Sequence, residues 1–280
     1  MITADHSFTI GDGPTGFLLI HGLGGTPLEL KFVAKGLARQ GFTVHCPQLA
    51  GHCGDEDDLL ATDWRDWYAS VEVGLDALRR RCNTVIAGGL SMGAVLALKL
   101  AAERPEWVKG VGVYGATFRY DGWAIPWIGK FSFLLPFLHR FGIGKHRMVH
   151  EGEPYGIRDE RLRAQISSAM LSGDSAAAGL PGNPWPSLGE MYNMAAVVKR
   201  ELPKVTAPCL IAHATEDDIA SIENAYLVQR AVSGPVETLW LKDSYHMITV
   251  DRERRLLTDR SAEFFRQIAA TYEPVARAAA

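Results

Sequence analysis

Over the first 116 residues, short apolar runs alternate with longer segments of helical spacing. Residues 16–20, 42–46 and 108–114 are apolar and of strand length, and the run at 42–46 is closed by Pro47. A further strand-like run, Asn83-Thr84-Val85-Ile86-Ala87-Gly88, lies between the last two. The intervening segments have another period. Residues 28–40 repeat apolar positions at three- and four-residue intervals and stop at Gly41. Residues 64–80 form an amphipathic stripe for which Asp63 or Thr62 supplies the N-cap, and 94–102 continue as an apolar helix that ends before Pro105. Continuous apolar strands separated by helices predict a mostly parallel sheet covered on both faces.

The rhythm breaks after Thr117. Residues 118–141 hold Phe118, Tyr120, Trp123, Trp127, Phe131, Phe133, Phe137 and Phe141, interrupted by Pro126 and Pro136. Residues 158–171 read as an amphipathic helix and 179–186 as a Gly/Pro turn region. Residues 187–199 read as another helix, with Ser187 and Glu190 spaced as a capping box. The alternation returns at Pro208, with strands at 209–213 and 236–241 and helices at 221–232 and 251–270. The pattern predicts an α/β core formed by 1–116 and 201–280, interrupted by a helical cap at 117–200, with a frayed tail from Ala276.

Composition narrows the function classes. The net charge of −3, with no Lys/Arg stripe beyond the helix-end run Arg79-Arg80-Arg81, argues against nucleic-acid binding. Residues 1–16 carry neither a basic region nor a long apolar core, so no secretory signal is read there. The most apolar long stretch, 123–143, contains Pro126, Lys130, Pro136, His139 and Arg140, so stable membrane insertion is not expected. Apolar lids do dock on lipid, but the basic residues of an interfacial helix are few here. Cys46, Cys53, Cys82 and Cys209 show no disulfide spacing, and a cytoplasmic location is the expectation. His45-Cys46 and His52-Cys53 match no common zinc-finger spacing, so neither a metal nor another cofactor is expected.

Candidate chemistry centres on Gly89-Leu90-Ser91-Met92-Gly93, a G-x-S-x-G sequence between a strand and a helix. In such an elbow the serine sits at the tip of a tight, strained turn. Glycines flank it because side chains there would collide with the adjacent strand and helix, and the helix N-terminus favours negative charge beside the hydroxyl. A serine hydroxyl needs a histidine base, which in turn needs a carboxylate to fix its tautomer. In the chain order serine, acid, histidine, Asp217 follows the strand at 209–213, and His246 follows the strand at 236–241. Asp218 and Glu216 are rival acids. Backbone donors for a tetrahedral oxyanion are expected from Met92 and from Leu23 in the loop His21-Gly22-Leu23-Gly24-Gly25.

These motifs, together with Gly51-His52, Thr215-Glu216-Asp217-Asp218, Asp243-Ser244-Tyr245-His246-Met247-Ile248-Thr249 and the segment Ser187-Leu188-Gly189-Glu190-Met191-Tyr192, resemble the bacterial carboxylesterase and monoacylglycerol lipase branch of the α/β-hydrolases over residues 16–265. The resemblance implies a Ser91–Asp217–His246 triad, an oxyanion hole at Leu23 and Met92, and a cofactor-free serine hydrolase. Its substrates would be carboxylic esters of small to medium acyl chain, monoacylglycerols included. A thioesterase, amidase or acyltransferase with the same triad, or a slow-turnover ligand sensor, is the alternative. Two positions depart from the family pattern: Cys53 stands where a glycine is usual, and Leu23 where an aromatic is frequent. Trp127, Phe131 and Phe137 are candidates for an acyl-binding wall, with lid core as the other reading.

Overall fold

Seven strands form the central sheet: β1 (Phe8–Ile10), β2 (Thr15–Ile20), β3 (Phe42–Cys46), β4 (Thr84–Leu90), β5 (Val108–Tyr114), β8 (Cys209–Ala214) and β9 (Val236–Leu241), in the order β1-β3-β2-β4-β5-β8-β9. All neighbours are parallel except β1, which runs antiparallel to β3 at the edge. The computed structural model describes residues 4–150, 152–171, 175 and 179–272, so the tail expected to fray from Ala276 lies outside the described residues. The fold is the α/β-hydrolase fold, with an inserted cap.

The side-chain period of β2 shows how the layers form. Phe17 and Leu19 point to one face, where α1 (Lys31–Arg39) and α9 (Arg254–Tyr272) contribute Val33, Leu37, Leu257 and Phe265. Leu18 and Ile20 point to the other face, packed with Val71 of α3 (Trp64–Arg79) and Leu96 of α4 (Met92–Glu103). Buried on nearly every side, α4 is apolar apart from Lys99 and Glu103, which pair with each other, as suits an internal helix. Further α-helices among the described residues are α2 (Glu56–Leu60), α5 (Leu135–Arg140), α6 (Glu160–Leu171), α7 (Trp185–Glu201) and α8 (Glu223–Ala231). Among the described residues, no helix is long and apolar enough to cross a membrane.

Several local expectations need correction. The inserted cap carries helices as expected, and β6 (Met148–His150) and β7 (Gly182–Pro184) also pair antiparallel within it. Three-residue strands pair through backbone groups and leave no side-chain period to read, and the same brevity hid β1. Ser187 and Glu190 do not form a capping box. The helix starts earlier, at Trp185, because Pro186 suits its first turn, and Glu190 accepts from Asn193 instead. At α3 the N-cap is Asp63, in a reciprocal box with Asp66. Thr62 instead accepts from the Trp67 indole and donates to the Leu59 carbonyl.

Strand register brings the functional loops together. Ile20 pairs with Gly89, Leu90 with Tyr114, Tyr114 with Ala212, and Ala214 with Leu241. The segments leaving β2, β4, β5, β8 and β9 therefore emerge side by side at the C-terminal edge of the sheet, where open α/β sheets bind ligands.

Candidate active site

Ser91 joins β4 to α4 with φ 58° and ψ −118°, in the left-handed half of backbone space that non-glycine residues avoid. Its N–H donates to Tyr114 O at 2.9 Å, which ties the turn to the end of β5. A Cβ on Gly93 would collide with the carbonyl oxygens of Ile20 and His21, and one on Gly89 would collide with the Gly93 backbone. The elbow is thus as tight as its sequence demands. Ser91 Oγ lies 3.0 Å from Thr117 Oγ1.

Asp217 and His246 come together from the loops beyond β8 and β9. His246 Nδ1 is 2.8 Å from Asp217 Oδ2 and 3.1 Å from Oδ1. An ionised carboxylate only accepts, so Nδ1 carries the proton and Nε2 holds the ring's lone pair. Asp217 Oδ1 also accepts from the N–H groups of Ile219 and Ala220, at 2.9 and 2.8 Å. Burial raises the Asp217 pKa, but the facing His246 and these hydrogen bonds outweigh burial and hold it below the usual carboxylate value. The ring of His246 packs over the end of β5, where an ideal Cβ on Gly115 would stand 3.6 Å from its Cε1.

The rival acids have other partners. Asp218 accepts from the backbone N–H of His246 at 3.2 Å and of Gly156 at 2.9 Å, which ties the histidine loop to the cap. Burial, only partly offset by the nearby His246, raises the Asp218 pKa. Glu216 is exposed and pairs with Arg158.

The loop after β2 runs beside the serine. An ideal Cβ on Gly22 would lie 3.5 Å from Ser91 Cβ. Gly22 is held at both polar groups. Its N–H donates to Glu29 Oε1 at 2.7 Å, and its carbonyl lies 2.9 Å from His21 Nδ1. Because His21 Nε2 accepts from Leu49 N–H at 3.1 Å, Nδ1 is the protonated nitrogen and donates to Gly22. Next in the chain comes Leu23. Among the described residues, neither the Leu23 nor the Met92 N–H donates to a protein acceptor.

Three buried histidines lie beneath these loops, where the sequence marks His21 and His52 as members of their motifs without giving either ring a role. His213 lies 3.4 Å from Asp217 Oδ2 and donates from Nε2 to Ala220 O at 2.8 Å; burial depresses its pKa. His21 and His52 stack edge to face at 5.0 Å, and burial lowers their pKa values to about 3 and about 4. Both rings are neutral when folded and titrate near 6.5 when unfolded, so unfolding takes up protons below that pH. Stability is therefore expected to fall as pH drops from 6.5 towards 4, by up to about 1.4 kcal/mol per pH unit for each ring. Urea midpoints across that range check this. His52→Gln should flatten the slope, and a midpoint independent of pH would contradict the assignment.

The remaining sequence candidates have partners of their own. His45 Nδ1 is 2.8 Å from Thr9 Oγ1, Cys46 is buried in β3, His52 Nδ1 donates to Ala50 O, and Cys53 sits in a turn at φ 66°. Among the described residues, no group of three or more His, Cys, Asp or Glu is arranged to hold a metal ion. The cap aromatics differ from lid core. Trp127 is 75% exposed, Phe131 51% and Phe137 62%, and they pair with one another and with Phe133 and Phe141. The 3-10 segment Trp127–Leu134 that carries two of them buries none of its residues.

The chain matches the family model described as Serine aminopeptidase, S33 (Hydrolase_4) over residues 16–253. It is 30% identical to the thermostable monoacylglycerol lipase of Bacillus sp. (strain H-257), over 95% of this chain and 96% of that protein. It is 25% identical to a carboxylesterase of Bacillus subtilis (strain 168), over 93% and 96%. Among solved structures, one of the metagenome-derived lipolytic enzymes LipS and LipT superposes with a TM-score of 0.76 at 27% identity, covering 93% of this chain and 97% of that one. The monoacylglycerol lipase of Paleococcus ferrophilus shares the fold at 16% identity, with a TM-score of 0.77 over 95% and 99%. A family match of this length, joined to a relative 30% identical along nearly all of both chains, makes the protein a member of the Serine aminopeptidase, S33 family and a serine hydrolase of the esterase and lipase group of α/β-hydrolases.

Proposed function

We propose that the protein hydrolyses carboxylic esters of small to medium acyl chain, monoacylglycerols among them, through an acyl-enzyme on Ser91. The observation that carries this reading is the Asp217–His246 pair, 2.8 Å apart, set over the strand end that also anchors the Ser91 turn. In the proposed cycle His246 Nε2 takes the Ser91 proton as Oγ attacks the ester carbonyl. Asp217 stabilises the imidazolium that forms. The Leu23 and Met92 N–H groups, with the N-terminus of α4 behind Met92, receive the oxyanion. Collapse of the tetrahedral intermediate expels the alkoxide, which His246 protonates. Water then enters, gives its proton to His246, and attacks the acyl carbon. The second collapse returns Ser91 and releases the acid. Names of relatives support an ester as substrate: a monoacylglycerol lipase and a carboxylesterase align along nearly the whole chain.

A rate series tests the reading: nitrophenyl esters of rising chain length, monoacylglycerols, and the matching nitroanilides. Repeated turnover on esters, highest for short and medium chains, is expected. Preferred cleavage of anilides, or one slow acylation without turnover, would contradict it.

The cap is proposed to set the chain-length optimum, because the insertion at 117–200 leaves the core between β5, the strand beside the one that ends at Ser91, and β8 next to it. Each methylene a ligand buries against apolar side chains contributes about 0.8 kcal/mol. Replacing Trp127, Phe131 or Phe137 by Ala should shift the optimal chain more than it changes turnover on acetate esters. An unchanged profile in all three folded variants would remove these residues from the acyl site.

A further inference from the structure

We infer that Asp251 is a positioning residue that seats His246 by clamping its loop to residues 156–159 of the cap, an inference that rests on His246 being the base. Asp251 is fully buried in the turn between the histidine and α9. Its carboxylate accepts three backbone N–H groups. Oδ2 takes those of Tyr245, the residue before His246, and of Arg158, each at 2.8 Å. Oδ1 takes that of Asp159 at 3.0 Å. Only a carboxylate offers two oxygens and no donor in so short a side chain. One side chain thus holds together the last loop of the core and a segment of the cap.

Asp251 belongs to a continuous seam. Three successive N–H groups of the histidine loop are taken up along it. Tyr245 donates to Asp251, His246 to Asp218 Oδ1 at 3.2 Å, and Met247 to Gly156 O at 2.8 Å. The cap answers from the other side. Gly156 donates to Asp218 Oδ2 at 2.9 Å, and Arg158 and Asp159 donate to Asp251. Gly156 packs too closely for a side chain. At φ 72° an ideal Cβ on it would stand 2.8 Å from Met247 Cγ and 3.2 Å from His246 Cβ. Both carboxylates are fully buried, so neither segment can shift without leaving a buried carboxylate short of donors. Asp217 fixes the imidazole ring, and the seam fixes the backbone that carries it. A backbone shift of about 1 Å away from Asp217 would stretch the 2.8 Å contact at Nδ1 beyond hydrogen-bond range. The base is therefore seated only while the cap segment is docked against it.

The test is turnover of a short nitrophenyl ester per active site titrated with a fluorophosphonate, well below the melting temperature. Asp251→Ala removes all three acceptor contacts and should lower kcat by about 10- to 100-fold with KM little changed. Asp251→Asn can keep its oxygen opposite Tyr245 and Arg158 and gives up the Asp159 bond, so it should lose only about threefold. A merely structural role lowers the melting temperature of Asp251→Ala and leaves kcat per titrated site at the parental value. Should Asp251→Ala not fold, Gly156→Ala presses the cap segment away from the histidine loop and should lower kcat in the same way. Parental kcat in the folded variant, or equal losses in Asp251→Ala and Asp251→Asn, overturns the inference and leaves the proposed function standing as long as His246→Asn is inactive. Parental turnover by His246→Asn overturns the base assignment and the inference with it.

Discussion

Ser91→Ala is expected to lower ester turnover by about 10⁴-fold or more while the protein stays folded. The size of the effect follows from the unit character of a nucleophile and its base. Without Oγ, His246 has nothing to activate, and only the oxyanion donors and substrate binding remain. The fold should tolerate the change because Ser91 contributes one hydrogen bond to Thr117 and a backbone turn whose constraint comes from Gly89 and Gly93. Initial rates on a short nitrophenyl ester, with circular dichroism on the same samples, read both halves. Retention of more than about one per cent of parental turnover by a folded variant would contradict the assignment.

Asp217→Asn is expected to cost about 10⁴-fold, and Asp218→Asn far less. An amide at 217 offers His246 Nδ1 an N–H as readily as an oxygen, and so favours the tautomer with the proton on Nε2, which cannot act as base. Among the described residues, the Asp218 carboxylate accepts hydrogen bonds only from backbone, at His246 and Gly156. An asparagine there keeps one acceptor and sets an N–H against the other donor, which loosens the histidine loop without changing the ring's tautomer. A loss of about tenfold, with a lowered melting temperature, is the expectation. Equal losses in the two variants would move the acid by one residue.

What the sequence could and could not convey follows from the range of the interactions involved. The elbow was legible because its constraints are local: Gly93 has no room for a Cβ against Ile20, and any working elbow carries that glycine. Strand bounds at Phe42–Cys46 and Val236–Leu241 were legible because apolar runs between Gly and Pro punctuation are local as well. Asp217 and Asp218 were not separable by pattern, since neighbours in one turn point opposite ways and only the fold says which faces the imidazole. The contacts of Thr117 and His21 depend on residues 26 and 28 positions away and leave no period. The cap aromatics show the same limit. Their number signals an apolar element, but Trp127 and Phe137 are exposed, and composition carries no information about which side chains an element buries.

Ser91 is the proposed nucleophile of the acyl-enzyme cycle. Its most direct test is intact-protein and peptide mass spectrometry after exposure to a fluorophosphonate, in the parent and in Ser91→Ala. The expected result is one adduct per chain on the peptide carrying Ser91, formed in step with loss of esterase activity and absent from the variant. An adduct on another residue, or full inactivation with Ser91 unmodified, would contradict it.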